Sequence, residues 1–192
     1  MHMVHKAGDK MFVDYAGKTL QIIDKQTGEI TEVQFFVAIL GASQLTYAEA
    51  TLSQKKEDFI TSVENALHYY KGVPEAIVPD NLRSAVTKSN RYEPTLNETF
   101  LDFSEHYGTT ILPVRAYRPK DKTLAEGAVK ILYTRIYSFL RDQVFFGLES
   151  LNTAIWQYLE NTIEPILQEK SIAEKIFLKK LKPTNSPCPA AL

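Results

Sequence analysis

The hydrophobic pattern of the chain changes period at Ser53, and this change limits the folds that are open to it. Before Ser53, apolar residues come in short runs and alternations that predict strands at Met11–Tyr15, Thr19–Ile23, Glu32–Leu40 and Thr46–Thr51. We expect the first two strands to form a hairpin around Ala16 and Gly17. The later part of the long third strand is apolar on both faces, which indicates a buried central strand.

After Ser53, helical and extended segments alternate. Apolar residues at helical spacing predict helices from Ser53 or Gln54 to Gly72, at Thr95–His106, at Thr123–Arg141 and at Leu148–Leu159. Ala76–Asn81 and Thr109–Val114 are typical of short strands. Strands that follow helical crossovers join a sheet in parallel. The order therefore predicts an α/β fold: a mixed five-stranded sheet, part antiparallel meander and part parallel, flanked by helices.

Length and charge set the organisation of the chain. Its 192 residues are enough for one core, and 22 Lys and Arg against 23 Asp and Glu give no global sign of nucleic-acid binding, so any such surface is local. We expect a disordered leader at 1–8, a core at 9–145, a helical extension at 146–170 and a basic, Pro-rich disordered tail at 171–192. No apolar run reaches membrane-spanning length and no cleavable leader opens the chain, which favours the cytoplasm and no membrane partner.

Three acidic residues stand out by position. Asp14 interrupts the first strand, Asp80 ends the strand after the first helix, and Glu126 lies early on a later helix. If the strands of Asp14 and Asp80 are neighbours, the two carboxylates repel unless a divalent cation lies between them. Mg²⁺ prefers such oxygen ligands. Taken singly, an Asp in a strand is more often an edge charge and an Asp-Asn pair more often a turn, but the three together are more informative.

Basic residues surround the third acid. Lys122, Glu126, Lys130 and Tyr133 recur at three- and four-residue steps, so we expect them to share one helix face opposite the apolar stripe. Lys122 and Lys130 are then placed to contact DNA phosphates, and Tyr133 to stack on an unpaired base. The alternative is a solvated basic face on which the tyrosine packs against lysine stems.

Six separated blocks of sequence carry a resemblance to a known family. They are Phe12–Gly17, Val78–Val86, Arg91–Pro94, His106–Gly108, Arg118–Glu126 and Phe145–Asn152. Together they resemble the integrase catalytic core of bacterial insertion-sequence transposases of the IstA type, over roughly Gly8 to Ile155.

The resemblance implies a ribonuclease H-like fold and an Asp-Asp-Glu polynucleotidyl transferase. Asp14, Asp80 and Glu126 would be its catalytic and metal-binding triad, holding two Mg²⁺ ions for which Mn²⁺ can substitute. Arg118 and Lys120 would add to the DNA-binding surface. In this family, water attacks a phosphodiester at the element's 3′ end, and the freed 3′-hydroxyl then attacks target DNA.

The resemblance also implies partners and a location. The family acts on element ends and target DNA as a multimer, with a helper ATPase, in the bacterial cytoplasm and in association with the nucleoid. Two other functions stay open from the residues themselves. The chain could be an inactive fragment that serves self-association or helper-ATPase contact, or a plain nuclease on the same fold.

Overall fold

A computed structural model of the chain describes residues 6–79, 86–88, 95–96, 98–112, 130, 132–163 and 176–180. The strands are β1 (Lys10–Tyr15), β2 (Leu20–Ile23), β3 (Ile30–Leu40), β4 (Thr46–Thr51), β5 (Ala76–Pro79), β6 (Val86–Lys88), β7 (Thr95–Leu96) and β8 (Thr110–Ile111). The α-helices are α1 (Lys56–Tyr70), α2 (Glu98–Tyr107), α3 (described over residues 132–140) and α4 (Leu148–Tyr158), which continues into a π-helical turn at Leu159–Ile163. No helix within these ranges is both long and apolar enough to span a bilayer.

The antiparallel half of the sheet is built around β3. Along one edge β3 pairs with β4, and along the other with β1 and then β2, both antiparallel to it. The expected hairpin between the first two strands is therefore wrong: they follow one another along the same edge of β3. The prediction of a buried central strand is confirmed, since every β3 side chain from Phe35 to Leu40 is buried.

The parallel half follows from the crossovers. β1 pairs in parallel with β5, and β5 pairs in parallel with β8. The mixed sheet thus has six strands, and a separate two-stranded sheet joins β6 to β7. When β1 and β2 are taken as one interrupted strand, the main sheet has the predicted five positions in the order β4, β3, β1/β2, β5, β8.

Helices cover both faces of the sheet. Alternating side chains of β3 separate two cores, because neighbouring residues of a strand point to opposite faces. Phe36, Ala38 and Leu40 pack with α1 and α2, whereas Phe35, Val37 and Ile39 pack with α3 and α4. The helical segment after residue 145, expected to be an extension of the core, thus contributes Leu151, Ile155 and Leu159 to a core shared with the sheet.

An asparagine of α4 seals the open edge of β4. Asn152 is 8% exposed, and its amide accepts a hydrogen bond from the Ala50 backbone N–H at 2.6 Å and donates one to the Ala50 carbonyl at 3.0 Å. The side-chain amide thus makes the two backbone hydrogen bonds that a neighbouring strand would make. One helical turn further on, Trp156 Nε1 donates to the Ala48 carbonyl at 3.0 Å. Capping of this kind prevents pairing of the edge with another chain.

Residues 176–180 pack against the start of the fold, although they were expected to belong to a disordered tail. Lys179 and Val73 exchange backbone hydrogen bonds of 2.9 and 2.8 Å, and Leu178 is buried in the α1 side of the core. Gly8, expected in a disordered leader, is buried against Phe177, and its carbonyl accepts a hydrogen bond from the Glu75 N–H at 2.9 Å. Both ends of the described chain thus meet beside β5.

Candidate active-site cleft

A bulge interrupts the strand that carries the first predicted acid. Tyr15 pairs with Phe36, the Ala16 N–H donates to the Phe35 carbonyl at 2.8 Å, and Leu20 pairs with Val33. Gly17, Lys18 and Thr19 therefore have only Gln34 opposite them. We call residues 17–19 the bulge. Such insertions bend a strand and re-aim its side chains, and they are common beside functional sites.

The bulge forms one wall of a cleft of about 350 Å³. The lining residues are Asp14, Tyr15, Ala16, Gly17, Lys18, Lys130, Tyr133, Thr134, Tyr137 and Ser138. Three side chains that the sequence assigned to the site, Asp14, Lys130 and Tyr133, thus meet in one place. Lys18 and Tyr137 join them, and the sequence had not assigned a role to Lys18.

Asp14 lies at the C-terminal end of β1 and is half-buried. Its Oδ1 accepts a hydrogen bond from the N–H of Tyr15 at 2.8 Å. The neighbouring Tyr15 ring is buried on the opposite face of the sheet, where it packs against Phe36 and Phe59. Packing of the Tyr15 ring therefore holds the backbone next to Asp14, and the Tyr15 N–H orients the carboxylate.

Tyr133 lies elsewhere than expected. The sequence placed it opposite the apolar stripe of its helix, but it is 9% exposed and belongs to the core on the α3 side. Its ring meets Phe35 edge-on at 5.7 Å and stacks on Tyr137 at 5.6 Å. A DNA base would have to displace Tyr137 to stack on Tyr133. Tyr137 is 45% exposed and covers Tyr133 toward the cleft.

The Tyr133 hydroxyl contacts the bulge. It donates a hydrogen bond to the Thr19 carbonyl at 3.3 Å. Burial raises the pKa of this hydroxyl above its usual value, with the nearby Tyr137 adding to the effect, so Tyr133 is a neutral donor at neutral pH. The contact ties α3 to the strand that carries Asp14.

The other predicted site residues lie outside the described part of the chain. These are Asp80, Glu126, Arg118, Lys120 and Lys122. In the sequence, Asp80 follows Pro79, and Pro79 is the register partner of Val13, the residue before Asp14.

Among the residues that the structure describes, one acid and two bases line the cleft. The acid is Asp14, and the bases, Lys18 and Lys130, are both exposed. Neither ammonium group has an ion-pair partner within the described part of the chain. No group of three potential metal ligands occurs there either. Of the described lining residues, Asp14 is the one with a carboxylate, the donor chemistry that a divalent cation prefers.

The sheet order, the crossovers and the helices on both faces define a ribonuclease H-like fold. Solved structures of integrase catalytic cores are similar to this fold. The catalytic core domain of BIV integrase has a TM-score of 0.56 and 13% identity, covering 87% of this chain and 98% of that one. The HTLV-2 integrase catalytic core domain in complex with magnesium has a TM-score of 0.54 and 15% identity, covering 80% of this chain and 86% of that one.

Sequence relatives are bacterial transposases by name. The candidate transposase y4bL/y4kJ/y4tB of Sinorhizobium fredii is 45% identical over 187 residues, which are 97% of this chain and 36% of the relative. The candidate transposase for insertion sequence IS1162 of Pseudomonas fluorescens is 46% identical over 161 residues, 84% of this chain and 29% of the relative. The chain therefore spans about a third of the length of these curated relatives. No protein-family profile matches it.

Proposed function

We propose that the chain is the catalytic core of a DNA transposase of the IstA type, which hydrolyses a phosphodiester at the element's 3′ end and transfers the strand to target DNA. The observation that carries this proposal is the parallel register of β1 and β5, which brings the strand of Asp14 beside the strand that leads into Asp80. The cleft that opens at Asp14 is also lined by Lys130, four residues after Glu126. Similarity to transposases over 97% of the chain supports the same function.

In this proposal Asp14, Asp80 and Glu126 hold the divalent ions through carboxylate oxygens. Bound Mg²⁺ or Mn²⁺, two ions to a site, would activate the attacking oxygen and stabilise the leaving one. Magnesium is named with the HTLV-2 integrase core, which shares this fold. Asp14 suits the role because the Tyr15 N–H and the packing of the Tyr15 ring orient its carboxylate before any ligand arrives.

Cations of the cleft bind the substrate. Lys130 projects from α3 into the same cleft as Asp14, where its ammonium group would neutralise a DNA phosphate next to the reacting bond. Lys122, Arg118 and Lys120 precede it along the chain and would extend the basic surface along the DNA backbone. Fixed charges that orient a phosphodiester contribute to rate by positioning as well as by charge stabilisation.

The test is strand joining by the 192-residue chain. A labelled duplex with a pre-cleaved 3′ end from a related element is incubated with plasmid and Mg²⁺ or Mn²⁺, and joined product is quantified. We expect Asp14→Asn to reduce joining by at least about a hundredfold, since loss of a metal ligand removes several kcal/mol of transition-state stabilisation. Asp102→Asn is the matched control, because Asp102 is exposed on α2, and should join as wild type does.

The outcomes separate the three functions. Cleavage of the duplex without joining, abolished by Asp14→Asn, supports a nuclease on the same fold. Absence of both activities in wild type, with either metal, supports the inactive interaction module. Joining that survives Asp14→Asn contradicts the assignment of the triad.

The proposal extends to the longer protein that the relatives represent. Two element ends must be brought together for transposition, so the active form would be a homo-oligomer. The helper ATPase implied by the resemblance to the IstA type would be a further partner. The bacterial cytoplasm and nucleoid are the location this function requires.

A further inference from the structure

We propose that Lys18, on the bulge, is a second DNA-phosphate contact in the cleft that Lys130 also lines, and that Tyr133 is a positioning residue that holds the bulge. This inference rests on the proposed function, because it concerns how the same cleft binds the DNA backbone. It assigns a binding role to a residue on the strand side of the cleft and a supporting role to one expected to contact DNA.

Lys18 lies on the bulge and lines the cleft. Three residues of the bulge lie opposite Gln34, and two of them, Gly17 and Lys18, are exposed. Lys18 lines the same cleft as Asp14. The cleft therefore has a cation on its strand side as well as on its helix side.

Tyr133 connects the bulge to the helix wall. Its hydroxyl donates to the Thr19 carbonyl of the bulge at 3.3 Å. Its ring is fixed between Phe35 beneath and Tyr137 above. The hydrogen bond thus couples α3, which carries Lys130, to the loop that carries Lys18.

The charges of the cleft favour an anion that spans both walls. Lys18 comes to the cleft from the bulge and Lys130 from the helix, and neither has an ion-pair partner among the described residues. A DNA backbone presents successive negative charges to such a pair. Each phosphate that a lysine neutralises contributes about 0.9 to the slope of log K against log salt for duplex DNA. A phosphate contact made by Lys18 can therefore be measured as a change in this slope.

The test measures that slope with the 192-residue chain. Binding to a fluorescently labelled DNA duplex with a 3′ overhang is followed by anisotropy between about 50 and 200 mM salt, in EDTA so that no reaction occurs. We expect Lys18→Gln to reduce the magnitude of the slope by about 0.9. The ratio of wild-type to variant affinity should therefore fall about threefold from the lowest to the highest salt concentration. Lys25→Gln is the matched control: Lys25 is exposed at the far end of β2, and the slope should stay at the wild-type value.

The positioning role is tested by Tyr133→Phe, which keeps the ring and removes the hydroxyl. We expect it to reduce the slope as Lys18→Gln does, and the double variant to show no further reduction, because both changes remove the same contact. A purely structural Tyr133 would lower the thermal midpoint and leave the slope unchanged.

Each result bears on the inference. A wild-type slope in Lys18→Gln overturns it, while the joining assay with Asp14→Asn still decides the proposed function. A slope reduced equally by Lys25→Gln also overturns it, because the effect is then one of net charge. Wild-type protein that binds no DNA at the lowest salt overturns both the inference and the proposed function.

Discussion

Two buried tyrosines on the α1 side of the sheet have hydroxyls that are kept neutral by their surroundings. Burial raises the pKa of Tyr15 to about 12, and the charge of Asp58 adds to the effect. The pKa of Tyr47 is raised by burial and by Glu49, whose buried carboxylate accepts the Tyr47 hydrogen bond at 2.7 Å. In the unfolded chain both hydroxyls ionise near pH 10. Their contribution to stability is therefore fully present below pH 10 and is lost as pH rises through the folded pKa.

The substitution Tyr15→Phe tests this at one residue. The phenyl ring keeps the contacts with Phe36 and Phe59, while the ionisable group is removed. We expect the free energy of unfolding of wild type to fall between about pH 10 and 12, by up to about 1.4 kcal/mol per pH unit for each such tyrosine. The variant should lose correspondingly less over this range. Urea unfolding at a series of alkaline pH values measures both slopes, and equal slopes would contradict a raised pKa at Tyr15.

Single residues also show where sequence reasoning reaches its limit. Asp14 and Lys130 were assigned from their chemistry and spacing, and they line one cleft. Tyr133 was expected on a polar face but is buried, because a tyrosine is compatible with both a polar and an apolar face and its burial is decided by Phe35 on another element. Lys18 had no sequence signal, since a lysine after a short strand is typical of any exposed turn.

At the scale of elements, the end of α1 depends on a segment more than a hundred residues further along. Gly72 was expected to end the helix, and a glycine at a helix end often adopts the left-handed conformation. Lys71 adopts it instead, with φ of 57°. A Cβ on Gly72 would lie 2.5 Å from Leu178 Cβ. The glycine is therefore needed for close packing of residues 176–180 on the turn after α1.

This packing makes Gly72→Ala an informative change. We expect the added methyl to push residues 176–180 away from Val73 and to lower the free energy of unfolding by about 1–3 kcal/mol, the usual cost of overpacking. Gly17→Ala is the matched control, because no atom lies within 4 Å of its Cβ position. Chemical denaturation compares the two. Equal stability of the two variants would contradict the close contact with Leu178.

Elements differ in how well the sequence predicts them. β3 was predicted well because a long run that is apolar on both faces has few alternatives to a central strand. The break between β1 and β2 was taken for a hairpin, since Ala16-Gly17 is a common turn sequence. Only the register on β3 shows that the chain continues along the same edge. That register is a tertiary property, and no local pattern encodes it.

At the scale of the whole molecule, α4 shares a hydrophobic core with the sheet. The expected boundary at residue 145 separated a core from a helical extension. Across it, Leu151 and Ile155 share a core with Phe35 and Val37, and Asn152 satisfies both backbone groups of Ala50. Removal of α4 would expose this face and leave the edge of β4 open. We therefore propose that residues 9–163 form a single cooperative domain.

The single tryptophan makes this proposal measurable. Trp156 lies on α4, is 39% exposed and donates to the Ala48 carbonyl, so its fluorescence reports the contact of α4 with β4, whereas far-ultraviolet circular dichroism reports the whole chain. We expect the two signals to give the same urea midpoint, as two-state unfolding requires. Asn152→Ala should lower both midpoints together and reduce the free energy of unfolding by about 2–4 kcal/mol, because two buried backbone groups lose their partner.

Thr153→Ala is the control, since Thr153 is exposed on the same helix and surface substitutions usually change stability by no more than about 0.5 kcal/mol. A fluorescence transition at lower urea than the dichroism transition would show that α4 detaches first. The segment from residue 146 would then be an extension docked on a separately stable core. Coincident transitions that Asn152→Ala shifts together would instead mean that the strand carrying Asp14 and the helix that covers the edge of β4 unfold as one unit. A substitution at the edge of β4 would then affect the cleft by destabilising the whole domain.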